Sequence, residues 1–214
     1  SDNQISDLTA LAGLTNLWVL DLSNNQISNL PSLSGLMDLG TLYLSNNQIS
    51  DLSPLAGLAE LDYLDLSFNQ ISDISPLEQL PGLIYLYLDG VDLSTAADLS
   101  ALYGMTALGK LSLAHAIGLD GGQLLALMGE LPSLVWLDVT GCWEDFDAQT
   151  RAALVAWVGL GHTREASIHI PDPNLRQAVA DRLGVPPDRI TVMAMQKLGN
   201  LSALGCSINS IEGL

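Results

Sequence analysis

The sequence predicts a fold of the α/β class, a right-handed solenoid with a parallel sheet on its concave face and turns, then helices, on its convex face. Three observations predict it. Leucines recur at a constant interval, at positions 17, 39, 61 and 83. Each is followed by two further leucines that lie two positions apart, as on the buried side of a short strand. The next equivalent leucines stand at positions 108 and 134, so the interval lengthens, and the added residues have helical spacing.

The repeating unit is defined by several columns that agree independently over four copies. The strand leucines are Leu20, Leu42, Leu64 and Leu86, then Leu22, Leu44, Leu66 and Leu88. The asparagine column consists of Asn3, Asn25, Asn47 and Asn69. The pattern L-x-x-L-x-L-x-x-N-x-I is the signature of a leucine-rich repeat. We predict a structural asparagine ladder, because this side chain can bond backbone groups in the bend after each strand and in the next coil.

The return side of the coils is predicted to change from extended turns to α-helix partway along the array. In the earlier coils Pro54 and Pro76 favour extended or tightly turned backbone. Later, Asp120 is a suitable N-cap with Gln123 three positions on, and apolar residues follow at helical spacing. We therefore expect outer helices only after about Asp92.

A closing helix is predicted after the last strand of the array. It begins at the N-cap Asp147 and ends at Gly159 or Gly161. Leu154 and Trp157 on this helix are expected to cover the last open coil. The array and its C-terminal cap are therefore assigned to residues 1–166.

Residues 167–214 are predicted to begin a second array. The segment "IPDPNLRQAVADRLG" reads as a helix capped by Asp172, and repeat-like leucines return near the end of the chain. This segment, the following "ITVMAMQKLGNL" and the repeats themselves resemble the internalin-like bacterial leucine-rich repeat proteins. In that family such segments look like the N-terminal cap of an array. The resemblance implies the solenoid architecture and export to the surface of a bacterium or archaeon, and it does not imply a ligand.

The charge balance excludes several classes of partner. The chain has 24 acidic and 7 basic residues, a net charge of −17. Nucleic acids and anionic membrane surfaces attract lysine and arginine clusters, so we predict neither as a partner. No apolar run reaches the roughly 18 residues of a membrane span, so no membrane insertion is expected either.

The residues that usually carry catalysis or metal binding are scarce and scattered. His115, His162 and His169 lack metal-ligand spacing, and the acidic stretch before Asp147 is better explained by helix capping than by Ca²⁺. Cys142 and Cys206 lie at core-type positions in separate arrays, so a disulfide between them is disfavoured. The sequence predicts no enzyme, no catalytic residue, no metal and no cofactor.

The residues between the strand leucines are predicted to face outward on the concave sheet. Tyrosine and tryptophan among them provide contact area at a low entropic cost, interleaved with aspartates. The alternative is that aromatic residues are there because they suit strands. The candidate binding face, for a protein or a glycan, comprises Asp21, Tyr43, Tyr63, Asp65, Tyr85, Tyr87, Trp136 and Asp138.

Both ends of the sequence align within a coil. Ser1–Leu8 and Ser207–Leu214 each match Ser23–Leu30, so both ends are expected to present open leucine edges. Head-to-tail contact would then involve Leu8, Leu11, Leu14, Leu204, Ile211 and Leu214. Covalent tandem arrays and noncovalent stacks both fit, and an isolated monomer is the third alternative. The sequence therefore favours a non-catalytic extracellular scaffold in a linear assembly, with a concave-face recognition or adhesion module as the alternative.

Overall fold

Six short strands form one parallel sheet in sequential order. The computed structural model describes residues 8, 11, 13–31, 33, 35–94, 99–159, 177 and 181. The strands are β1 (Val19–Asp21), β2 (Thr41–Tyr43), β3 (Tyr63–Asp65), β4 (Tyr85–Tyr87), β5 (Lys110–Ser112) and β6 (Trp136–Asp138). Every strand pairs in register with the next, so each residue lies beside its counterpart one coil later. The predicted leucine-rich repeat solenoid is confirmed.

The middle residue of each strand is a leucine that points into the core, and it is buried in all six strands. Leucines from the return side of each coil, such as Leu55 and Leu58, meet it from the opposite direction. The buried residues of the described coils form one continuous cluster. Burial of this kind stabilises the stack as a whole, since one coil encloses too little apolar surface to fold alone.

The return side changes along the array as predicted. In the early coils it contains the 3₁₀ turns Ser53–Leu55 and Ser75–Gln79, each with a proline in its first two positions. The later coils carry the helices α1 (Gly121–Glu130) and α2 (Ala148–Gly159). Asp120 caps α1, because its Oδ1 accepts a hydrogen bond of 2.8 Å from the Gln123 amide.

Helix α2 packs against α1 and covers the end of the core. Asp147 caps it by accepting a 2.7 Å hydrogen bond from the Thr150 amide. Leu154 is buried, and Trp157 is partly buried against the core cluster. None of the helices in the described ranges has the length and apolarity that a bilayer crossing requires.

The proposed second unit, residues 167–214, lies outside the described residues except for Gln177 and Asp181. Both of these are helical, and the Gln177 amide donates a 2.7 Å hydrogen bond to Asp181 Oδ1. The other predicted positions outside the described residues are Asn3, His162, His169, Leu204, Cys206, Ile211 and Leu214.

Candidate functional site

The asparagine column bonds backbone groups at the bend after each strand. The Asn47 side chain donates to the carbonyls of Leu22 (2.9 Å) and Leu44 (3.0 Å), and its Oδ1 accepts from the Ile27 amide at 3.0 Å. Asn69 repeats this arrangement one coil later, with the Ile49 amide as donor. The expectation of bonds to the next coil was wrong, since Leu22 and Ile27 belong to the preceding coil. The Asn47 side chain bonds the preceding coil because the Leu22 carbonyl and the Ile27 amide in the bend of that coil lie within hydrogen-bond distance of it.

Where the asparagine column ends, apolar residues take its place. Val91, Ala116 and Cys142 are all buried. The Cys142 thiol lies 3.3 Å from the Leu113 carbonyl, and burial raises the pKa of the Cys142 thiol to about 11. Cys142 is therefore a buried packing residue whose thiol is held in its protonated form.

Five aromatic side chains form a cluster on the outward face of the sheet. Tyr63 lies at its centre, with ring centroids 4.9 Å from Tyr43, 5.7 Å from Tyr85 and 5.3 Å from Tyr87. Tyr87 also lies 6.3 Å from Trp136, so the rings connect β2 with β6. We call Tyr43, Tyr63, Tyr85, Tyr87 and Trp136 the aromatic cluster. Tilted rings at these separations stabilise one another and hold the surface in one arrangement.

The centre of the aromatic cluster is partly withdrawn from water. Burial, reinforced by neighbouring tyrosines, raises the pKa of the Tyr63 hydroxyl well above its usual value. Burial also raises the pKa of Tyr87. Both hydroxyls are neutral at physiological pH, as tyrosines ordinarily are, and they offer hydrogen bonds on a face that a partner can dehydrate.

Lys110 is the only lysine or arginine before Arg151 in the sequence, and it lies within the aromatic cluster. Its ammonium nitrogen is 5.5 Å from the centroid of the Tyr85 ring and 6.0 Å from that of Trp136. Lys110 begins β5, and sequence reasoning did not select it for the binding face. The faces of these rings attract a cation.

The aspartates of the concave face also stabilise the bends that follow the strands. Asp21 Oδ1 accepts from the Ser23 amide at 2.9 Å, Asp65 from Ser67 at 3.0 Å, and Asp138 from Thr140 at 2.8 Å. The hydrogen bonds from Ser23 hold the pKa of Asp21 below its usual range. Each carboxylate has a second oxygen, so it can fix its turn and still present negative charge.

Asp89 joins these carboxylates, although sequence reasoning did not select it. Its Oδ1 accepts from the Ser112 hydroxyl and, at 3.0 Å, from the Ala114 amide. Burial raises the pKa of Asp89, and nearby Asp138 and Asp65 act in the same direction. Strand β5 ends with the buried Ser112, where β1, β3 and β6 end with an aspartate. The Asp89 carboxylate, which accepts the Ser112 hydrogen bond, takes the position of the missing aspartate.

The residue before each strand forms a further row that sequence reasoning missed. Trp18, Ile84 and Val135 are 68%, 39% and 50% exposed. The other members of the row are Gly40, Asp62 and Gly109. The backbone amide of each later member of the row, from Gly40 to Val135, donates a hydrogen bond to the carbonyl of the member one coil earlier. Three large apolar side chains thus lie along the edge where the strands begin.

Three exposed aromatic rings lie over glycines of the following coil. A Cβ on Gly40 would lie 2.7 Å from Trp18 Nε1, and one on Gly90 would lie 2.6 Å from a Phe68 ring carbon. His115 lies in the same way over Gly141, and Gly90 and Gly141 also have positive φ angles of 68° and 83°. The signal in the sequence is an aromatic residue matched with glycine one repeat later.

Among the described residues, no group of three or more His, Cys, Asp or Glu side chains is placed to hold a metal ion. Three residues of the predicted end-to-end contact are described by the structure, and they differ in exposure. Leu8 is buried, Leu11 is partly buried against the core, and Leu14 is 47% exposed.

A family model for leucine-rich repeats in two copies matches residues 15–57 and 59–104. These matches contain β1 to β4. No curated protein matches the chain significantly.

Solved structures of bacterial leucine-rich repeat proteins resemble this chain in fold and sequence. An internalin C2 (inlC2) from Listeria monocytogenes is 34% identical with a TM-score of 0.56, covering 72% of this chain and 64% of its own. An internalin (inlF) from the same species is 29% identical with a TM-score of 0.55, covering 64% and 46% respectively. A leucine-rich repeat protein of Leptospira interrogans is 28% identical with a TM-score of 0.55, covering 62% and 34%. The alignments thus span less than two thirds of each of those chains.

Proposed function

Because this chain is an internalin-like bacterial leucine-rich repeat protein, we propose that it is a non-catalytic recognition module that binds a protein partner on the concave face of its sheet. The observation that carries the proposal is the aromatic cluster, whose contacting rings extend from β2 to β6. Contacting rings are already ordered before binding, so little conformational entropy is lost when a partner covers them.

A structural explanation of the cluster is weaker, because the core does not need these rings. The buried leucines on the other side of the strands already fill the interior. Tyr43, Tyr63, Tyr85, Tyr87 and Trp136 are all only partly buried on the outward face. A contiguous apolar surface of this kind is typical of an interaction site.

The test is a binding screen with a panel of purified extracellular domains of surface proteins against the full chain. The informative variant is Tyr63→Ser with Tyr87→Ser, which removes the centre of the cluster. Met37→Ser is the matched control, because Met37 is an exposed apolar residue (69%) outside the strands. We expect partners to lose at least about tenfold in affinity with the double variant and to keep it with the control. A panel without binders, or binders indifferent to the double variant, would refute the proposal.

A second candidate function is linear assembly of arrays, in tandem or end to end. It is favoured by the exposure of Leu14 (47%) in the first described coil. Light scattering across a concentration series tests the noncovalent form, with Leu11→Lys and Leu214→Lys as variants. A monodisperse monomer at millimolar concentration that neither variant changes would exclude end-to-end stacking.

We also propose that the protein is located at the surface of a bacterial or archaeal cell. The low lysine content and the resemblance to internalins support this location. Antibody labelling of intact producing cells tests it. Labelling that requires permeabilised cells would contradict it.

A further inference from the structure

The concave face has two chemically different edges. Because all strands are parallel, the residues that precede them share one edge and the residues that end them share the other. The edge where the strands begin carries the exposed side chains of Trp18, Ile84 and Val135. Hydrogen bonds from Gly40, Asp62, Ile84, Gly109 and Val135 to the carbonyl one coil earlier keep these residues in one line.

The edge where the strands end is acidic. Asp21, Asp65 and Asp138 occupy equivalent places in β1, β3 and β6, with tyrosines between them in β2 and β4. The bond from the Ser112 hydroxyl brings the Asp89 carboxylate to the remaining place in β5. Each of these carboxylates is fixed by a backbone amide, so the negative charges are held in position before a partner arrives.

Between the two edges, the aromatic cluster already holds a cation of its own chain. The Lys110 ammonium lies 5.5 Å from the Tyr85 ring and 6.0 Å from the Trp136 ring. This contact shows that the ring faces accept an ammonium group. No second lysine or arginine precedes Arg151 in the sequence to neutralise the acidic edge.

On the basis of the proposed recognition function, we infer that the partner presents a basic amphipathic protein segment that lies along the solenoid axis. Its apolar side packs on the edge of Trp18, Ile84 and Val135. Its lysine or arginine side chains face the edge of Asp21, Asp65, Asp89 and Asp138. Charge complementarity identifies this class of partner, and the net charge of −17 steers it toward the chain.

The dimensions of the sheet suit such a segment. The two edges are separated by the length of one short strand, or about 10 Å, which is close to the diameter of a helix. Six strands at roughly 4.8 Å spacing span about 24 Å, the length of a helix of about 16 residues.

The probe for the test is a phage-displayed three-helix scaffold. One helix face is randomised with equal shares of Lys, Glu, Leu, Trp and Ser, so that the library has no net preference for charge. Clones are selected on the full chain. A clone is assigned to the concave face if Tyr63→Ser with Tyr87→Ser abolishes its binding and Met37→Ser does not.

The charge variant is Asp65→Asn with Asp138→Asn. An amide oxygen still accepts the hydrogen bonds from the Ser67 and Thr140 amides, so the variant removes charge and keeps the turns. Concave-face clones are expected to contain at least about three times more Lys than Glu, with Leu or Trp on the adjacent stripe. Their affinity for this variant should fall about tenfold, and salt should weaken it.

The outcomes separate the inference from the proposed function. Concave-face clones with equal Lys and Glu, or clones indifferent to Asp65→Asn with Asp138→Asn, overturn the inference and leave the recognition function supported. A selection that yields no concave-face clone overturns both. Lys110→Met removes the competing cation and is expected to raise the affinity of concave-face clones about threefold. An unchanged or lower affinity would show that the partner's cations do not reach the rings.

Discussion

Removal of the Asn47 side chain should cost a definable part of the folding free energy. Asn47 is 8% exposed, and its Oδ1 is the acceptor for the amide of Ile27, which is fully buried. In Asn47→Ala that amide loses its acceptor. The Leu22 carbonyl keeps a donor, because the Asn25 side chain bonds it at 2.9 Å. The Leu44 carbonyl keeps Asn69 in the same way, also at 2.9 Å.

The expected loss therefore corresponds to one stranded amide, about 1–3 kcal/mol. Asn69→Ala should cost about 0.5–1 kcal/mol more. Its side chain donates to the Leu66 carbonyl at 3.0 Å, and the next coil has Val91 where a second ladder asparagine would stand. Asn69→Ala is therefore expected to destabilise the fold more than Asn47→Ala, because the ladder ends at Asn69.

Urea denaturation followed by far-UV circular dichroism measures the loss, and amide hydrogen exchange locates it. The Ile27 amide should lose protection in Asn47→Ala, and the Ile49 amide should lose it in Asn69→Ala. Gln48→Ala is the control, since Gln48 is exposed and should change stability by less than about 0.5 kcal/mol. A loss below about 0.5 kcal/mol in Asn47→Ala, or unchanged protection of Ile27, would refute the reasoning.

Three further predictions concern single residues. Gly40→Ala should displace the Trp18 ring, whose Nε1 lies 2.7 Å from the position of the new Cβ, and should therefore change the tryptophan fluorescence. Because the ring is exposed and free to move, the loss of folding free energy should stay below about 1 kcal/mol. Tyr63 has a folded-state pKa above its unfolded value near 10, so its contribution to the folding free energy is complete below about pH 10 and is lost as the pH rises further. In Tyr63→Phe the urea midpoint should therefore fall less steeply above pH 10 than in the unmodified chain. In a Cys206→Ser background, the Cys142 thiol should react with a disulfide reagent at pH 8 at least about 100-fold more slowly in the native state than in urea.

Each of these predictions has its own control or contrary result. Gly104→Ala places a Cβ where nothing lies within 4 Å, so its tryptophan fluorescence should match that of the unmodified chain. An equally steep fall of the urea midpoint above pH 10 in Tyr63→Phe and in the unmodified chain would show that the hydroxyl is not desolvated. Rapid native labelling of Cys142 would show that its coil opens to solvent.

The fold was predictable because each column of the repeat has one physical cause. Leu20 and Leu22 have the two-residue spacing of a strand that is buried on one side, and this spacing recurs in every coil of the repeat. Helix α1 was also predictable, since Asp120 and Gln123 form a local capping signal. These interactions are all encoded within one coil or in its direct repetition.

The site was only partly predictable, because its interactions join residues one coil apart. The aromatic columns could be read from the sequence, but the cation–π contact of Lys110 with Trp136 depends on how two side chains lean across the sheet. Asp89 was missed since it follows its strand, and only the bond from Ser112 brings it into the row. The overlap of Trp18 with Gly40 was equally absent from any motif, because a repeat signature records identities within a coil and not contacts between coils.

The equal length of the early coils has a consequence for how genes of this type change. Strands β1 to β4 begin at positions 19, 41, 63 and 85, a constant interval, and they pair in register. A stretch of codons of fixed length therefore encodes one interchangeable layer, and unequal recombination between two such stretches would add or delete a layer without disturbing the pairing of its neighbours. The binding surface would then gain or lose one full set of outward side chains in a single genetic event. The later coils, in which the strands begin at positions 85, 110 and 136, are longer, and α1 packs against α2, so an exchange there would change the interval and disturb this helix contact.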